Sequence, residues 1–166
     1  PLGIYCSTRP RFYAFIRPIM DFMQTMPAFV FMIPVIAFFG TGKVAAVIIT
    51  MIFGGTPVVR LTVLGLKGVP QNIREAAIAY GASKWYLLSK VDIPLAMPTI
   101  LAGVNQTVML SLAMVVVASL IGAKGLGQDV LEALQYANVG QGILAGIAIL
   151  FVALLLDRIV QGKKRV

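Results

Sequence analysis

Three adjacent polar residues, Asn105, Gln106 and Thr107, stand inside the longest charge-free run of the chain, residues 93–123. In a helix they occupy successive steps of about 100°, so they cannot all face lipid comfortably. Uncharged groups of this kind either join helices by hydrogen bonds or line a passage for a solute, and the residues alone leave both roles open. A second constellation, Glu75-Ala76-Ala77 followed by Gly81, makes no bonds of its own. Two alanines and a glycine leave little side chain between this backbone and whatever approaches it, which suits close docking into a groove. Bond-breaking chemistry is poorly supplied. The 166 residues include no His and one Cys, Cys6, which removes His-based acid–base catalysis, zinc clusters and an internal disulfide framework. No catalytic residue, metal ligand or bound cofactor is expected. A G-x-x-x-x-G-K-[ST] phosphate loop is absent, and Gly40-Thr41-Gly42-Lys43 is too short to replace it.

The elements that must carry these residues follow from composition. Hydrophobic residues make up 59% of the chain and charged residues 12%, with a mean hydropathy of +0.92. Polar side chains this few could not clothe a compact water-soluble body, so a bilayer is the natural solvent. Charge-free runs cover residues 22–42, 44–59, 93–123 and 133–156. A membrane-crossing helix needs about 20 mainly apolar residues. The second run reaches that length if Arg60 lies near a membrane face and extends its guanidinium to the headgroups. The chain therefore reads as an all-α polytopic membrane protein in one domain, 1–166, with spans at about 19–39, 44–65, 95–120 and 140–156. Pro27 and Pro34 are expected to kink the first span. Pro1 in place of Met, and the apolar Leu2-Gly3-Ile4-Tyr5 after it, read as the tail of an earlier segment, so the sequence is expected to be the C-terminal part of a longer chain.

Counting positive charges on the two sides of these spans gives an independent test. Arg9, Arg11, Arg17, Arg60, Lys67, Arg74, Lys84, Lys90, Arg158, Lys163, Lys164 and Arg165 share one side, and only Lys43 and Lys124 the other. The positive-inside tendency assigns the rich side to the cytoplasm. The same bias accounts for the formal net charge of +8, so nucleic acid is not needed to explain it.

Between the second and third spans, residues 70–94 are too polar to cross a bilayer and too regular for a slack linker. Pro70 stops the helix before it. Ile73, Ala76, Ala77 and Tyr80 then fall on one side of a short helix, with Glu75 expected in the first turn, where the dipole favours an anion. Gly81 ends that helix in the left-handed conformation. Ser83 is the expected N-cap of a second helix, with Trp85, Leu88 and Val91 as its apolar side, closed by Asp92-Ile93-Pro94. Periodicity alone allows two uses for this cytoplasmic pair: reinforcement packed on its own spans, or a surface for a partner.

The spacing Glu75-Ala76-Ala77, three residues, Gly81, nine residues, Val91-Asp92-Ile93-Pro94 resembles the EAA loop of ABC-transporter permeases. Val91 stands for the usual Ile and Ile93 for the usual Leu, which keeps the apolar plug before the proline. Met23-Gln24-Thr25-Met26-Pro27-Ala28-Phe29, Gly103-Val104-Asn105-Gln106-Thr107 and Gly125-Leu126-Gly127 are similar to the permeases for glycine betaine, proline and related osmoprotectants. The resemblance implies a type I ABC-importer permease in a prokaryotic cytoplasmic membrane, paired with a second permease copy. It implies coupling through Glu75, Ala76, Ala77 and Gly81 to a cytoplasmic ATP-binding-cassette ATPase that hydrolyses ATP in trans. An extracytoplasmic substrate-binding protein would meet the outer face, where residues 122–139 are expected to carry a short helix. Quaternary ammonium ligands are usually held in aromatic cages, and the only Trp, Trp85, lies on the cytoplasmic side, so selectivity is expected to reside mainly in that binding protein. Choline, carnitine, trimethylamine oxide or another amino acid are alternative substrates. The rival readings are a membrane assembly protein that does not transport and an ion-driven carrier; the latter would usually place acidic residues inside its spans, and the charge-free runs hold none.

Overall fold

Residues 2–162 are described in a computed structural model; Pro1 and the basic residues Lys163, Lys164 and Arg165 lie outside the described residues. Within that range every regular element is helical: α1 (Leu2–Thr8), α2 (Pro10–Thr25), α3 (Ala28–Phe39), α4 (Lys43–Lys67), α5 (Gln71–Ala79), α6 (Lys84–Tyr86), a π-helical turn (Leu87–Asp92), α7 (Ile93–Ser119), α8 (Leu126–Gln135) and α9 (Val139–Gln161). Three stretches among the described residues are long and apolar enough to cross a bilayer: α4, the continuous helical run Lys84–Ser119, and Val139–Val160 of α9. A fourth is obtained if α2 and α3 count as one broken span. Large apolar side chains such as Phe38, Ile33, Leu144 and Ile159 point outward, which would be costly against water but not against hydrocarbon.

The chain divides into two compact units. One joins the chain up to Ile19 with Pro57–Gln106; the other joins Met20–Thr56 with the chain from Thr107 onward. In the first, Leu66, Val69 and Ala96 form a buried cluster against Ile4, Leu88, Ile93 and Ile100. Small residues permit the approach: a Cβ on Gly103 would lie 3.2 Å from Val58 Cα, and one on Gly65 would lie 3.3 Å from Ala96 Cβ, so α4 and α7 meet almost backbone to backbone. Lys67 Nζ sits 5.0 Å from the centre of the Tyr13 ring, a cation–π contact near the end of α4. In the second unit, Met32, Ala45, Ala46, Ile49 and Ile121 are packed by Val35, Ile36, Val117, Ala118 and Ala123. The Gly42 amide donates to the Ile121 carbonyl at 2.7 Å, tying the α3–α4 turn to the end of α7.

Three local expectations are corrected. The stretch 19–39 is not one kinked helix: α2 and α3 meet at 103°, broken at Met26-Pro27, while Pro34 lies unbroken inside α3. Pro27 has an extended ψ of 139° and serves as the N-cap of α3; it has no amide to continue the ladder, and it drives the residue before it away from the helical region. Second, Asp92-Ile93-Pro94 does not close the helix that Ser83 begins. The Ile93 amide donates to Leu88, five residues back, so the chain passes through a π turn into α7. A ladder already widened by one residue accommodates a proline that has no donor to give. Third, α5 begins at Gln71 with no acidic residue in its first turn, placing Glu75 one turn further in than expected.

Candidate functional site

The segment from Pro70 to Asp92 is built as a helix, a tight glycine turn and a second helical piece. Pro70 precedes Gln71 with φ −57° and ψ 132°, a conformation its ring pre-sets. At the other end of α5 the Gly81 amide donates to Ile78 at 2.9 Å and the Ala82 amide to Ala77 at 3.0 Å. Gly81 itself has φ +82°, the left-handed cap that favours glycine. Ser83 then caps α6, its hydroxyl accepting from the Tyr86 amide at 3.3 Å.

Of the residues expected to couple to a partner, Glu75, Ala76 and Gly81 are exposed and Ala77 is half-buried. No residue of α5 is buried. The apolar side chains around them are also open: Ile78 at 56% exposed, Tyr80 at 93%, Trp85 at 76% and Tyr86 at 55%. Nothing in the chain lies within 4 Å of a Cβ placed on Gly81. These small residues and open apolar side chains, together with the exposed Gln71, Asn72, Glu75 and Lys84, form a mixed surface that the chain itself leaves uncovered. Large aromatic groups at such a surface supply most of the energy when a partner covers it.

The inward side of α5 is held by one residue that spacing rules did not single out. Arg74 Nε donates to Asp92 Oδ1 at 2.8 Å, and Arg74 Nη2 donates to the Leu66 carbonyl at 2.8 Å. Leu66 lies in the last turn of α4, where carbonyls lack intrahelical donors. Asp92 is buried, and its side chain is 9% exposed. Helical periodicity connects residues three or four apart; these two charges are 18 apart, and only the folded-back Gly81 turn brings them together.

The polar triplet in α7 is divided by its environment. Gln106 is exposed, while Asn105 and Thr107 are half-buried. Asn105 Oδ1 and Thr107 Oγ1 are sealed from solvent without a hydrogen-bond partner, and a buried polar group left so costs about 1–3 kcal/mol. One turn further on, Ser111 Oγ lies 2.6 Å from where a Cβ on Gly54 would be, so α4 presses closely on α7 there. Gly103, grouped by sequence with the triplet, is a packing glycine against α4. Among the described residues no group of three or more His, Cys, Asp or Glu side chains could hold a metal ion.

Comparison with known proteins bears on the whole chain. Residues 1–162 match the family described as binding-protein-dependent transport system inner membrane component. The glycine betaine/proline betaine transport system permease protein ProW of Escherichia coli (strain K12) is 48% identical over 165 residues, 99% of this chain and 47% of its own length. The glycine betaine transport system permease protein OpuAB of Bacillus subtilis (strain 168) is 48% identical over 164 residues, covering 99% of this chain and 58% of its own. The trimethylamine N-oxide transport system permease protein TmoV of Pelagibacter ubique (strain HTCC1062) is 44% identical over 156 residues, covering 94% and 22%. The chain thus spans about half the length of the first two of these relatives. Among solved structures, a chain of the MetNI methionine ABC transporter in an inward facing conformation superposes with a TM-score of 0.78 at 21% identity, covering 95% of this chain and 78% of that one. That likeness establishes a shared helical fold.

Proposed function

The chain belongs to the family of binding-protein-dependent transport system inner membrane components, and from that premise we propose that it forms the membrane-spanning part of an ATP-binding-cassette importer for a small osmoprotectant such as glycine betaine or proline. The observation that carries this reading is the exposed α5–Gly81 surface, which offers small residues and open aromatic side chains to a docking partner. In this reading Glu75, Ala76, Ala77 and Gly81 seat against a cytoplasmic ATPase subunit, a second copy of the permease completes the translocation unit, and an extracytoplasmic binding protein delivers the solute. ATP hydrolysis belongs to the partner, and this chain binds no cofactor. The names of the relatives, which concern glycine betaine, proline betaine and trimethylamine N-oxide, support a small methylated amine as cargo.

The work this chain performs is conversion of a docking event into helix rearrangement. Swinging a two-state equilibrium from 1:99 to 99:1 requires about 5.5 kcal/mol of differential binding, and that energy must enter through α5. A lever that bent at its root would dissipate the stroke, so the joint between α5 and the long helices has to be stiff.

Asn105, Gln106 and Thr107 line the passage in this proposal once the helices rearrange, since Asn105 Oδ1 and Thr107 Oγ1 are sealed in the conformation described. A buried hydroxyl without a partner is tolerated where a passing solute or water satisfies it transiently. Replacing Thr107 by the near-isosteric Val is expected to raise thermal stability by about 1 kcal/mol, because an unsatisfied polar atom is removed, while lowering solute uptake; stability gained at the expense of activity is the usual signature of a functional polar site. Thermal unfolding in detergent and uptake in vesicles read the two effects. A Thr107→Val variant that is less stable and transports normally would assign Thr107 to helix packing.

The proposal as a whole is tested by uptake of labelled glycine betaine into membrane vesicles carrying the intact complex and its binding protein. Uptake that persists with the membrane potential collapsed and stops when ATP is withdrawn is the expected result. Uptake that follows the potential and ignores ATP would favour an ion-driven carrier. Copurification of a partner without ATP-dependent uptake would favour an assembly protein.

A further inference from the structure

We propose that Arg74 is a positioning residue: its forked guanidinium fixes α5 at once to the end of α4 and to the π turn that leads into α7, so that a push on α5 reaches both long helices together. The inference rests on the importer reading above and adds to it the joint through which the stroke is passed.

Three observations carry it. The first is the geometry. One nitrogen of Arg74 is bonded to Asp92 Oδ1 and another to the Leu66 carbonyl, each at 2.8 Å, so a single rigid plane spans three elements of one unit. A lysine carries the same charge as a single rotatable head and lacks the planar fork that fits two acceptors lying in different directions. The second is burial. Asp92 is 6% exposed, and Leu66, at the other arm, belongs to the buried cluster with Val69 and Ala96. Buried ion pairs often contribute little net stability, because desolvation offsets the attraction; here the pair sets an angle at the root of a helix that has no buried residue of its own. The third is the π turn. Asp92 is its last residue, and the wide hydrogen-bond register there closes on Ile93, whose amide reaches back to Leu88. Such single π turns inside a helix are rare and frequent at functional sites, and Arg74 grips this one at its C-terminal end.

The test compares Arg74→Lys, Asp92→Asn and the double variant in the intact complex, reading three quantities: assembly with the ATPase subunit, solute taken up per ATP hydrolysed, and amide hydrogen exchange across residues 71–79. Arg74→Lys is expected to assemble and to hydrolyse ATP, while uptake per ATP falls by about fivefold or more, the lower end of allosteric coupling. Exchange in α5 is expected to rise about tenfold, the change that corresponds to losing one charge-assisted hydrogen bond. The double variant should be scarcely worse than either single one, since both break the same joint. Unchanged uptake per ATP in Arg74→Lys, with or without faster exchange, overturns the proposal and leaves Arg74 a packing contact. Strictly multiplicative losses in the double variant overturn it as well. A wild-type complex that shows no ATP-driven uptake overturns the importer reading, and this inference with it, before any variant is compared.

Discussion

Gly81→Leu is expected to weaken association with the proposed ATPase subunit and to lower uptake in parallel, each by about 30-fold or more, while the amount of chain in the membrane stays near wild type. Two physical effects act at this position and can be separated. Gly81 has φ +82°, a conformation that costs an ordinary L-residue about 1–2 kcal/mol. Beyond that, a Cβ there meets nothing within 4 Å, so any added bulk projects outward, where the proposed docking would seat the partner. At the centre of a docking surface a clash or lost anchor costs 2 kcal/mol or more, a weakening of about 30-fold. Gly81→Asn isolates the second effect, because Asn tolerates the left-handed region; it should assemble poorly despite an intact turn. Gly81→Ala isolates the first and should lose less. Normal copurification and normal uptake in both the Leu and the Asn variants would show that Gly81 faces no partner.

The second large effect is expected at Gly127, at the start of α8. A Cβ there would collide with the Val115 carbonyl oxygen and lie 2.7 Å from its carbonyl carbon. Both obstacles are backbone and cannot rotate aside. Even Gly127→Ala therefore requires α8 to lift from α7, at a cost of about 3 kcal/mol, the upper end of the usual overpacking range. Gly142 and Gly146, spaced four apart in α9, give the contrast. A Cβ on Gly142 makes an ordinary 3.4 Å contact with Ala133, and one on Gly146 meets nothing. Gly146→Ala should be neutral or stabilise α9 by about 0.5–1 kcal/mol through reduced chain entropy. Thermal unfolding of the purified chain in detergent compares the two variants. A Gly127→Ala variant as stable as Gly146→Ala would contradict the packing described for α8.

These contrasts mark what the sequence makes legible. Gly142 and Gly146 form a spaced pair, yet the glycine of these three whose Cβ would collide with backbone is Gly127, and that collision depends on Val115, twelve positions away in another helix. Charge-free runs reveal the long helices because hydrocarbon imposes a length and a composition that no local rule can override. The α5–Gly81–Ser83 turn is legible because proline, a left-handed glycine and a serine cap each act on their immediate neighbours. Met26-Pro27 was readable as a disturbance, but whether a proline bends a helix or breaks it depends on what else can satisfy the backbone nearby. The continuation through Pro94 was hidden for the same reason: a local signal to stop is overruled once the preceding ladder widens to the five-residue register seen at Ile93. Arg74 and Asp92 were unreadable as a pair, since no periodicity links residues 18 apart. The candidate site is thus half local and half tertiary. Its outward face follows from residue types in sequence, and its anchorage follows from the fold.

Whether α5 seats in an ATPase subunit and carries its movement to the long helices is decided by site-specific photo-crosslinking from Tyr80, which is 93% exposed. In the intact complex the expected product is an adduct containing the ATP-binding subunit, in a yield that changes when nucleotide is added and that is lost in Gly81→Leu. An adduct only with the extracytoplasmic binding protein, or none with the ATPase subunit at any nucleotide state, would contradict it.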